Sequence, residues 1–308
     1  MNQNIRLLAL DIDGTLLDPQ SKLSPQNLSA LRAAHASGIE IVLATGRRHD
    51  YALPVLEEIG IPAWLISSNG ALIRSSAGET FYSDLLPAAT AARMIRHMDG
   101  FRGNAVLTFD RQENDRKAND RQKNDGQEND RPQNGRPGNK ALVLERFEEL
   151  NQSISRWLQV NSAVIQYISP LEDALTEDPI QVMYCGPLAR MRLAEKRLLE
   201  AGFLHEISIL KTQYDHRDLC ILDILNHGCS KGHALRRWAE KHGIRREQVM
   251  AIGDNFNDLE MLEFAGVAVV MGNASQELKQ SGWKVTLSNA ESGVAKAIKE
   301  ILGLAFSG

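Results

Sequence analysis

Buried strands alternate with helices at both ends of this chain, and this alternation limits the possible folds more than any other feature. Residues 5–10 (IRLLAL) and 39–46 (IEIVLATG) predict buried strands. Residues 24–38 between them predict a helix that has Ser24 as its N-cap. The same pattern resumes after residue 229 and continues through the last segment. Such alternation predicts βαβ units and a mostly parallel sheet with helices on both faces.

The middle of the chain, roughly residues 84–224, has a different pattern. Its predicted helices and strands indicate a separate α+β unit that is inserted into a core made of residues 1–83 and 225–308. Within the insert, about residues 111–139 form a degenerate pentapeptide repeat with units such as QENDR. Its one apolar residue, Ala118, cannot form a hydrophobic core. The tract predicts a solvated loop, and a partner-binding or flap role is the alternative.

The composition argues against several classes of partner. A net charge of -4 over 308 residues gives no general electrostatic basis for binding nucleic acid or an anionic membrane. The three cysteines are far apart, which argues against zinc or disulfides and favours a reducing compartment. No signal-peptide pattern opens the sequence, and no apolar run reaches the roughly 18 residues that span a bilayer. We expect a soluble cytoplasmic protein with no nucleic-acid, membrane or protein partner.

Four acidic residues follow predicted strands in two distant parts of the chain. Asp11 ends the first strand and Asp13 follows it, whereas Asp254 and Asp258 follow the strand predicted over 249–253. In open α/β sheets the ligand lies outside the carboxyl ends of the strands, so we expect these acids in one crevice. Because oxygen ligands without His or Cys favour a hard cation, the cluster predicts a Mg²⁺ site.

The same crevice is predicted to hold groups that bind anions. Thr45 offers a hydroxyl group, and the turn it forms with Gly46 offers backbone N–H groups. Lys231 is predicted in the first turn of a helix, where the helix dipole opposes a cation unless an anion faces it. A metal site, an anion cradle and a spare carboxylate together indicate phosphoryl transfer.

Four segments in chain order resemble the motifs of the haloacid dehalogenase (HAD) superfamily. These segments are DIDGT at 11–15, TGR at 45–47, Lys231 in GCSKGHAL, and GDNFNDLEM at 253–261. The stretch SSNGA at 67–71 further resembles the Cof-like phosphatases that carry a type IIB cap. The resemblance implies a Rossmann-like three-layer α/β sandwich with a parallel sheet and an inserted α+β cap domain. The pentapeptide tract departs from the family pattern.

The resemblance also implies a role for each site residue. Asp11 would be the nucleophile that forms an aspartyl-phosphate, and Asp13 the general acid that later acts as base. The metal ligands would be Asp11, the backbone carbonyl of Asp13, and Asp254, with Asp258 supporting the metal or its waters. The groups that hold the phosphoryl oxygens would be Thr45, Gly46, Lys231 and Asn257. The implied protein is a Mg²⁺-dependent hydrolase of small phosphorylated metabolites, with sugar phosphates the foremost substrates.

Other interpretations stay open from the sequence alone. Asp254 and Asp258 also suit a capped strand-to-helix turn, and Lys231 also suits an ordinary surface position. Arg47 and Arg48 suit either substrate contact or a solvated surface. A phosphosugar mutase and a non-catalytic phosphate- or phosphosugar-binding protein are the alternative functions.

Overall fold

The computed structural model describes residues 4–111, 140–148 and 151–306. Almost all of the predicted pentapeptide loop at 111–139 lies outside the described residues. Among the helices that the structure describes, none combines the length and the apolar character that crossing a membrane requires.

Two compact units make up the chain. The first contains Met1–Asp84, Leu210–Gln213 and Asn226–Gly308, and the second contains Leu85–Ile209 and Tyr214–Leu225. The sequence placed the boundaries after residues 83 and 224. Leu210–Gln213 belongs to the first unit, although the sequence assigned this piece to the insert.

The strands fall into two sheets. In chain order they are β1 (Leu7–Asp11), β2 (Glu40–Ala44), β3 (Trp64–Ser67), β4 (Leu72–Ser75), β5 (Thr80–Ser83), β6 (Ala105–Thr108), β7 (Leu142–Leu144), β8 (Ile165–Tyr167), β9 (Gln181–Gly186), β10 (Ile207–Tyr214), β11 (Leu219–Asn226), β12 (Val249–Gly253), β13 (Val267–Val270) and β14 (Lys284–Val285). The α-helices that the structure describes are Pro25–Ala36, His49–Ile59, Ala88–His97, Gln152–Val160, Leu188–Leu199, Lys231–Lys241, Leu259–Phe264, Gln276–Lys279 and Gly293–Leu302.

An eight-stranded sheet organises the first unit, in the order β14-β13-β12-β1-β2-β3-β4-β5. The strands from β14 to β3 pair in parallel, and β4 and β5 add an antiparallel edge. The central strand β1 lies between β2 and β12, which are far apart in the sequence. The predicted α/β fold with a mostly parallel sheet is therefore confirmed.

Helices cover both faces of this sheet because alternate residues of each buried strand point to opposite sides. Leu8 of β1 belongs to the apolar cluster that includes the helices Pro25–Ala36 and Gly293–Leu302. Leu7 belongs to the opposite cluster, which includes the helix Lys231–Lys241. The first unit is thus a three-layer sandwich whose central strand ends at the predicted site.

A six-stranded sheet organises the second unit, in the order β10-β11-β9-β6-β7-β8. The pairs β11–β9, β9–β6 and β6–β7 are antiparallel, and the pair β7–β8 is parallel. The helices Ala88–His97 and Leu188–Leu199 pack on one face of the sheet. The unit has the predicted α+β character. The sequence did not predict β6 and β7, which have only four and three residues, or the helix Gln152–Val160.

The helix predicted over 24–38 begins at the predicted cap. It runs from Pro25 to Ala36, and the Ser24 hydroxyl accepts a hydrogen bond from the backbone N–H of Asn27 at 3.2 Å. The same hydroxyl lies 2.8 Å from the hydroxyl of Ser292. Ser24 therefore holds the helix start and ties it to the beginning of the last helix.

Ser24→Ala should destabilise the protein by about 1 kcal/mol, because the first turn of the helix loses its side-chain acceptor. Ser37→Ala is the matched control, since Ser37 is exposed at the other end of the helix and donates to the Ala33 carbonyl. The control should change the free energy of unfolding by less than about 0.5 kcal/mol. Urea unfolding measures both values, and equal losses would contradict the capping role.

Candidate active site

Three of the predicted acids meet at the carboxyl edge of β1 and β12. Asp11 is the last residue of β1, and Asp254 follows the last residue of β12. Carboxylate oxygens of Asp11, Asp254 and Asp258 all lie within 4.8 Å of one another. The parallel pairing of the two strands places their ends side by side. This edge therefore joins residues that are more than two hundred positions apart in the chain.

Lys231 lies between two of these carboxylates. Its Nζ donates to Oδ1 of Asp11 and to Oδ1 of Asp258, each at 2.7 Å. The lysine side chain is fully buried at the start of its helix, next to the capping residue Ser230. The interpretation of Lys231 as an ordinary surface residue is therefore wrong. Two carboxylates provide negative charge at this helix start, where an isolated cation would be unfavourable.

Burial and mutual repulsion raise the pKa values of the acids. Burial raises the pKa of Asp11 to about 7, and Asp258 and Asp13 add to this effect against the attraction of Lys231. Burial also raises the pKa of Asp254 well above its usual range, and the charges of Asp11 and Asp258 act in the same direction. Burial opposes the charge of Lys231, but the two carboxylates outweigh it and raise the pKa of the lysine.

The acidic cluster fits a hard divalent cation. Oδ2 of Asp11 is buried and has no hydrogen-bond partner among the described residues. A buried oxygen in this state is costly unless a ligand or water satisfies it. Gly14 has a φ of +83°, and a Cβ at this position would lie 2.3 Å from Oδ2 of Asp254. The site thus combines an available oxygen, an oxygen-only donor set and a glycine that leaves room beside it.

Two residues that the sequence did not single out hold Asp254. The Thr15 hydroxyl donates to Oδ1 of Asp254 at 3.2 Å. Nδ2 of Asn273 donates to Oδ2 of Asp254 at 3.4 Å and to the carbonyl of Gly14 at 2.9 Å. Thr15 was part of the DIDGT motif, but the sequence carried no signal for Asn273. These bonds orient a carboxylate of the proposed metal cluster.

Asp13 directs its carboxylate to Arg47 rather than joining the three acids. Nε of Arg47 donates to Oδ2 of Asp13 at 2.7 Å, and Nη2 donates to Oδ1 at 2.5 Å. The guanidinium group also lies over the ring of Tyr51, 4.9 Å from its centre. Arg48 instead pairs with Asp50 at 2.7 Å. Both arginines thus have carboxylate partners, and the partner of Arg47 is a predicted catalytic residue.

The other predicted phosphate-binding residues converge on Asn69. The Asn69 backbone N–H donates to the carbonyl of Thr45 at 2.9 Å. A Cβ on Gly46 would lie 3.2 Å from Oδ1 of Asn69. Nδ2 of Asn257 donates to the same oxygen at 2.9 Å. The structure thus brings Thr45, Gly46 and Asn257 together around a residue that the sequence marked only within the SSNGA stretch.

Comparison with known protein families identifies the family of this chain. The family described as haloacid dehalogenase-like hydrolase matches this chain over residues 8–298. The chain belongs to this family. The predicted resemblance is therefore confirmed, and so is the predicted enzyme class, a phosphatase that hydrolyses phosphoric monoesters.

Similar individual proteins are named as phosphatases. Phosphatase YwpJ of Bacillus subtilis (strain 168) is 33% identical, with 97% of this chain and 100% of the relative covered. The protein 5-amino-6-(5-phospho-D-ribitylamino)uracil phosphatase YwtE of the same organism is 28% identical, with 97% and 98% covered. The solved structure of the HAD subclass IIB sugar phosphatase BT4131 has a TM-score of 0.70 at 23% identity, with 96% of this chain and 98% of that chain covered. The last likeness concerns the fold alone.

Lys231→Met should destabilise the protein by about 3 kcal/mol, because removing the ammonium leaves Asp11 and Asp258 buried without their cation. Lys296→Met is the matched control, since Lys296 forms an exposed ion pair with Glu300 at 2.8 Å. An exposed pair of this kind contributes less than about 1 kcal/mol. Urea unfolding at about pH 8 compares the variants, and a loss at Lys231 no larger than that at Lys296 would contradict a bridging role.

Proposed function

We propose that this enzyme hydrolyses phosphoric monoesters of small metabolites, foremost sugar phosphates, through an aspartyl-phosphate on Asp11. The contacts of that carboxylate carry the proposal. Lys231 holds one oxygen of Asp11 at 2.7 Å, and the other oxygen has no partner among the described residues. A carboxylate that is oriented in this way keeps an oxygen available to attack phosphorus or to bind a metal.

Asp13 is suited to move the protons. Its side chain is 39% exposed and is oriented by Arg47. In the first step an oxygen of Asp11 bonds to phosphorus and the phosphorus–oxygen bond to the alcohol breaks. Asp13, which must first leave its pair with Arg47 and take up a proton from solvent, gives that proton to the leaving oxygen. In the second step Asp13 takes a proton from water, the water oxygen bonds to phosphorus, and the bond to Asp11 breaks. Inorganic phosphate and the alcohol are the products.

Thr45, Gly46, Lys231 and Asn257 would hold the phosphoryl oxygens. An ammonium group, an amide group, a hydroxyl group and backbone N–H groups are all donors that suit phosphate. The approach of Thr45, Gly46 and Asn257 to Asn69 supports a shared role for these three residues.

Mg²⁺ suits the acidic cluster better than a softer metal, because the donors are all oxygen atoms. Asp11, Asp254 and the backbone carbonyl of Asp13 would hold the ion. Asp258 would support this arrangement, since its Oδ2 accepts hydrogen bonds from the backbone N–H groups of Asp254 and Asn255 at 3.0 and 3.1 Å. When bound, the ion would neutralise part of the charge on the phosphoryl group.

Two observations support a small sugar phosphate as substrate. The relative YwtE is named as a phosphatase of 5-amino-6-(5-phospho-D-ribitylamino)uracil, whose name places the phosphate on a ribityl group. The inserted α+β unit is consistent with a cap, and caps favour small substrates over macromolecules. No disulfide joins Cys185, Cys220 and Cys229, all of which lie in the described part of the chain, and this supports a location in the reducing cytoplasm.

Phosphate release from a panel of sugar phosphates, pyridoxal 5'-phosphate, nucleotides and p-nitrophenyl phosphate tests the proposal. We expect release with Mg²⁺ and none with EDTA. Asp11→Asn should lower kcat by about a thousandfold or more, because the nucleophile is lost. Glu300→Gln, in an exposed ion pair, is the control and should retain activity.

Each other outcome of this assay has a definite meaning. Release that survives Asp11→Asn would exclude Asp11 as the nucleophile. Conversion of a hexose 1-phosphate to its 6-phosphate without phosphate release would indicate a mutase. Phosphate binding without any turnover by the folded enzyme would indicate a binding protein.

The raised pKa of Asp11 predicts that protons compete with Mg²⁺. The pKa rises from 3.8 to about 7, so the folded enzyme without metal keeps a proton that the unfolded chain loses. The resulting stabilisation is complete below about pH 4 and is lost as the pH rises through about 7. Because Mg²⁺ needs ionised carboxylates, its binding should strengthen over the same range.

Thermal unfolding with and without Mg²⁺ measures this competition. The rise in Tm that Mg²⁺ causes should be larger at about pH 8 than at about pH 6, because fewer protons must be displaced. Asp254→Asn should reduce the rise at both pH values, whereas Glu300→Gln should retain it. A rise in Tm that is equal at both pH values would contradict proton competition at this cluster.

A further inference from the structure

We propose that Asn69 is a positioning residue that orients the amide of Asn257 beside the Thr45–Gly46 turn for phosphate binding. The inference rests on the proposed phosphate-binding roles of those residues. Asn69 is completely buried in the short turn Ser68–Gly70 between β3 and β4.

The backbone of this turn is unusual. Ser68, Asn69 and Gly70 have φ values of 48°, 55° and 108°, so three successive residues adopt the left-handed region. Asparagine tolerates this region better than most residues, and glycine tolerates it best. Non-glycine residues persist there when surrounding contacts hold them, and such turns concentrate at functional sites.

Backbone hydrogen bonds attach the turn to the segment after β2. The Ser68 N–H donates to the carbonyl of Arg47 at 2.8 Å, and the Asn69 N–H donates to the carbonyl of Thr45 at 2.9 Å. These bonds use main-chain atoms only. The turn therefore fixes the path of the Thr45–Gly46 segment whichever side chain occupies position 69.

The Asn69 side chain adds a separate contact to Asn257. Its Oδ1 accepts from Nδ2 of Asn257 at 2.9 Å, and the bond is buried. A carboxamide NH₂ group has two hydrogens, so this bond uses one and leaves the second for an anion. Because Oδ1 of Asn69 is the acceptor, the nitrogen end of the Asn257 amide lies at this contact. Asn69 thus selects the orientation in which Asn257 can donate to a phosphoryl oxygen.

The turn also contacts the helix that carries Lys231. A Cβ on Gly70 would lie 2.2 Å from the carbonyl oxygen of Ser230 and 3.0 Å from the backbone nitrogen of Lys231. The close approach requires glycine at position 70. A single turn therefore touches the segment after β2, the start of the Lys231 helix, and Asn257. These are the three places from which the proposed phosphate ligands come.

The variant Asn69→Gly distinguishes the contribution of the side chain from that of the backbone. Glycine keeps the left-handed conformation and the N–H that donates to Thr45, and it removes only the carboxamide. We expect inorganic phosphate to inhibit this variant about tenfold more weakly and KM to rise similarly, because the orienting hydrogen bond is lost. A loss of folded stability alone would lower Tm and the active fraction but leave the inhibition constant unchanged.

A double-mutant cycle with Asn257→Ala tests whether Asn69 acts on phosphate binding through Asn257. If Asn69 acts through Asn257, adding Asn69→Gly to Asn257→Ala should weaken phosphate inhibition very little further. Effects that simply add would overturn the proposal. If Asn257→Ala leaves phosphate inhibition unchanged, the proposed phosphate-binding role of Asn257 fails. If Asn257→Ala weakens inhibition and Asn69→Gly does not, only the inference about Asn69 fails.

Asn27→Ala is the matched control for a buried asparagine with a structural role. Nδ2 of Asn27 donates to the Leu16 carbonyl at 3.0 Å, and Oδ1 accepts from the Ala295 N–H at 3.0 Å. This variant should lower Tm and leave phosphate inhibition unchanged. Asn69→Ala serves if Asn69→Gly fails to fold, because it also removes the oxygen that accepts from Asn257, and it should weaken phosphate inhibition about tenfold. Wild-type inhibition in Asn69→Ala would overturn the proposal.

Discussion

The bridge that Lys231 makes between Asp11 and Asp258 is the interaction on which the rest of the site depends. Three carboxylates within a few ångströms would repel one another strongly in a buried place, and the lysine offsets two of them. The bridge also joins the end of β1, the loop after β12 and the start of the Lys231 helix. One buried ammonium group thus both balances the charge of two carboxylates and holds together three segments of the first unit.

A second cation gives Asp13 an environment different from that of Asp11. Asp11 is buried against Lys231, whereas Asp13 is partly exposed and forms a two-bond pair with Arg47. Two acids that lie two positions apart in the chain therefore have separate partners and separate access to solvent. Different environments are what allow neighbouring carboxylates to take different chemical roles. The roles proposed above, proton transfer for the exposed Asp13 and nucleophilic attack for the buried Asp11, follow this difference.

The sequence predicted the elements that depend on local patterns, but not the contacts between distant side chains. Buried apolar runs identified β1, β2 and β12, and the rule that ligands bind at strand ends placed the acids in one crevice. The Arg47–Asp13 pair was not predictable, because side-chain geometry decides which carboxylate an arginine reaches. Asn273 was missed because it reaches Asp254 from a loop with no motif.

The Ser68–Gly70 turn shows why such residues escape local prediction. An Asn-Gly pair favours a turn, and the structure shows that the left-handed backbone extends back to Ser68, which lacks the tolerance of glycine. Local preference alone does not account for that conformation, whereas the hydrogen bonds to the segment after β2 and the tight approach to Ser230 do. The surrounding site therefore stabilises the turn. The turn also sets the spacing of the groups around it. The contacts that hold the left-handed backbone are therefore the same contacts that fix the geometry of the site.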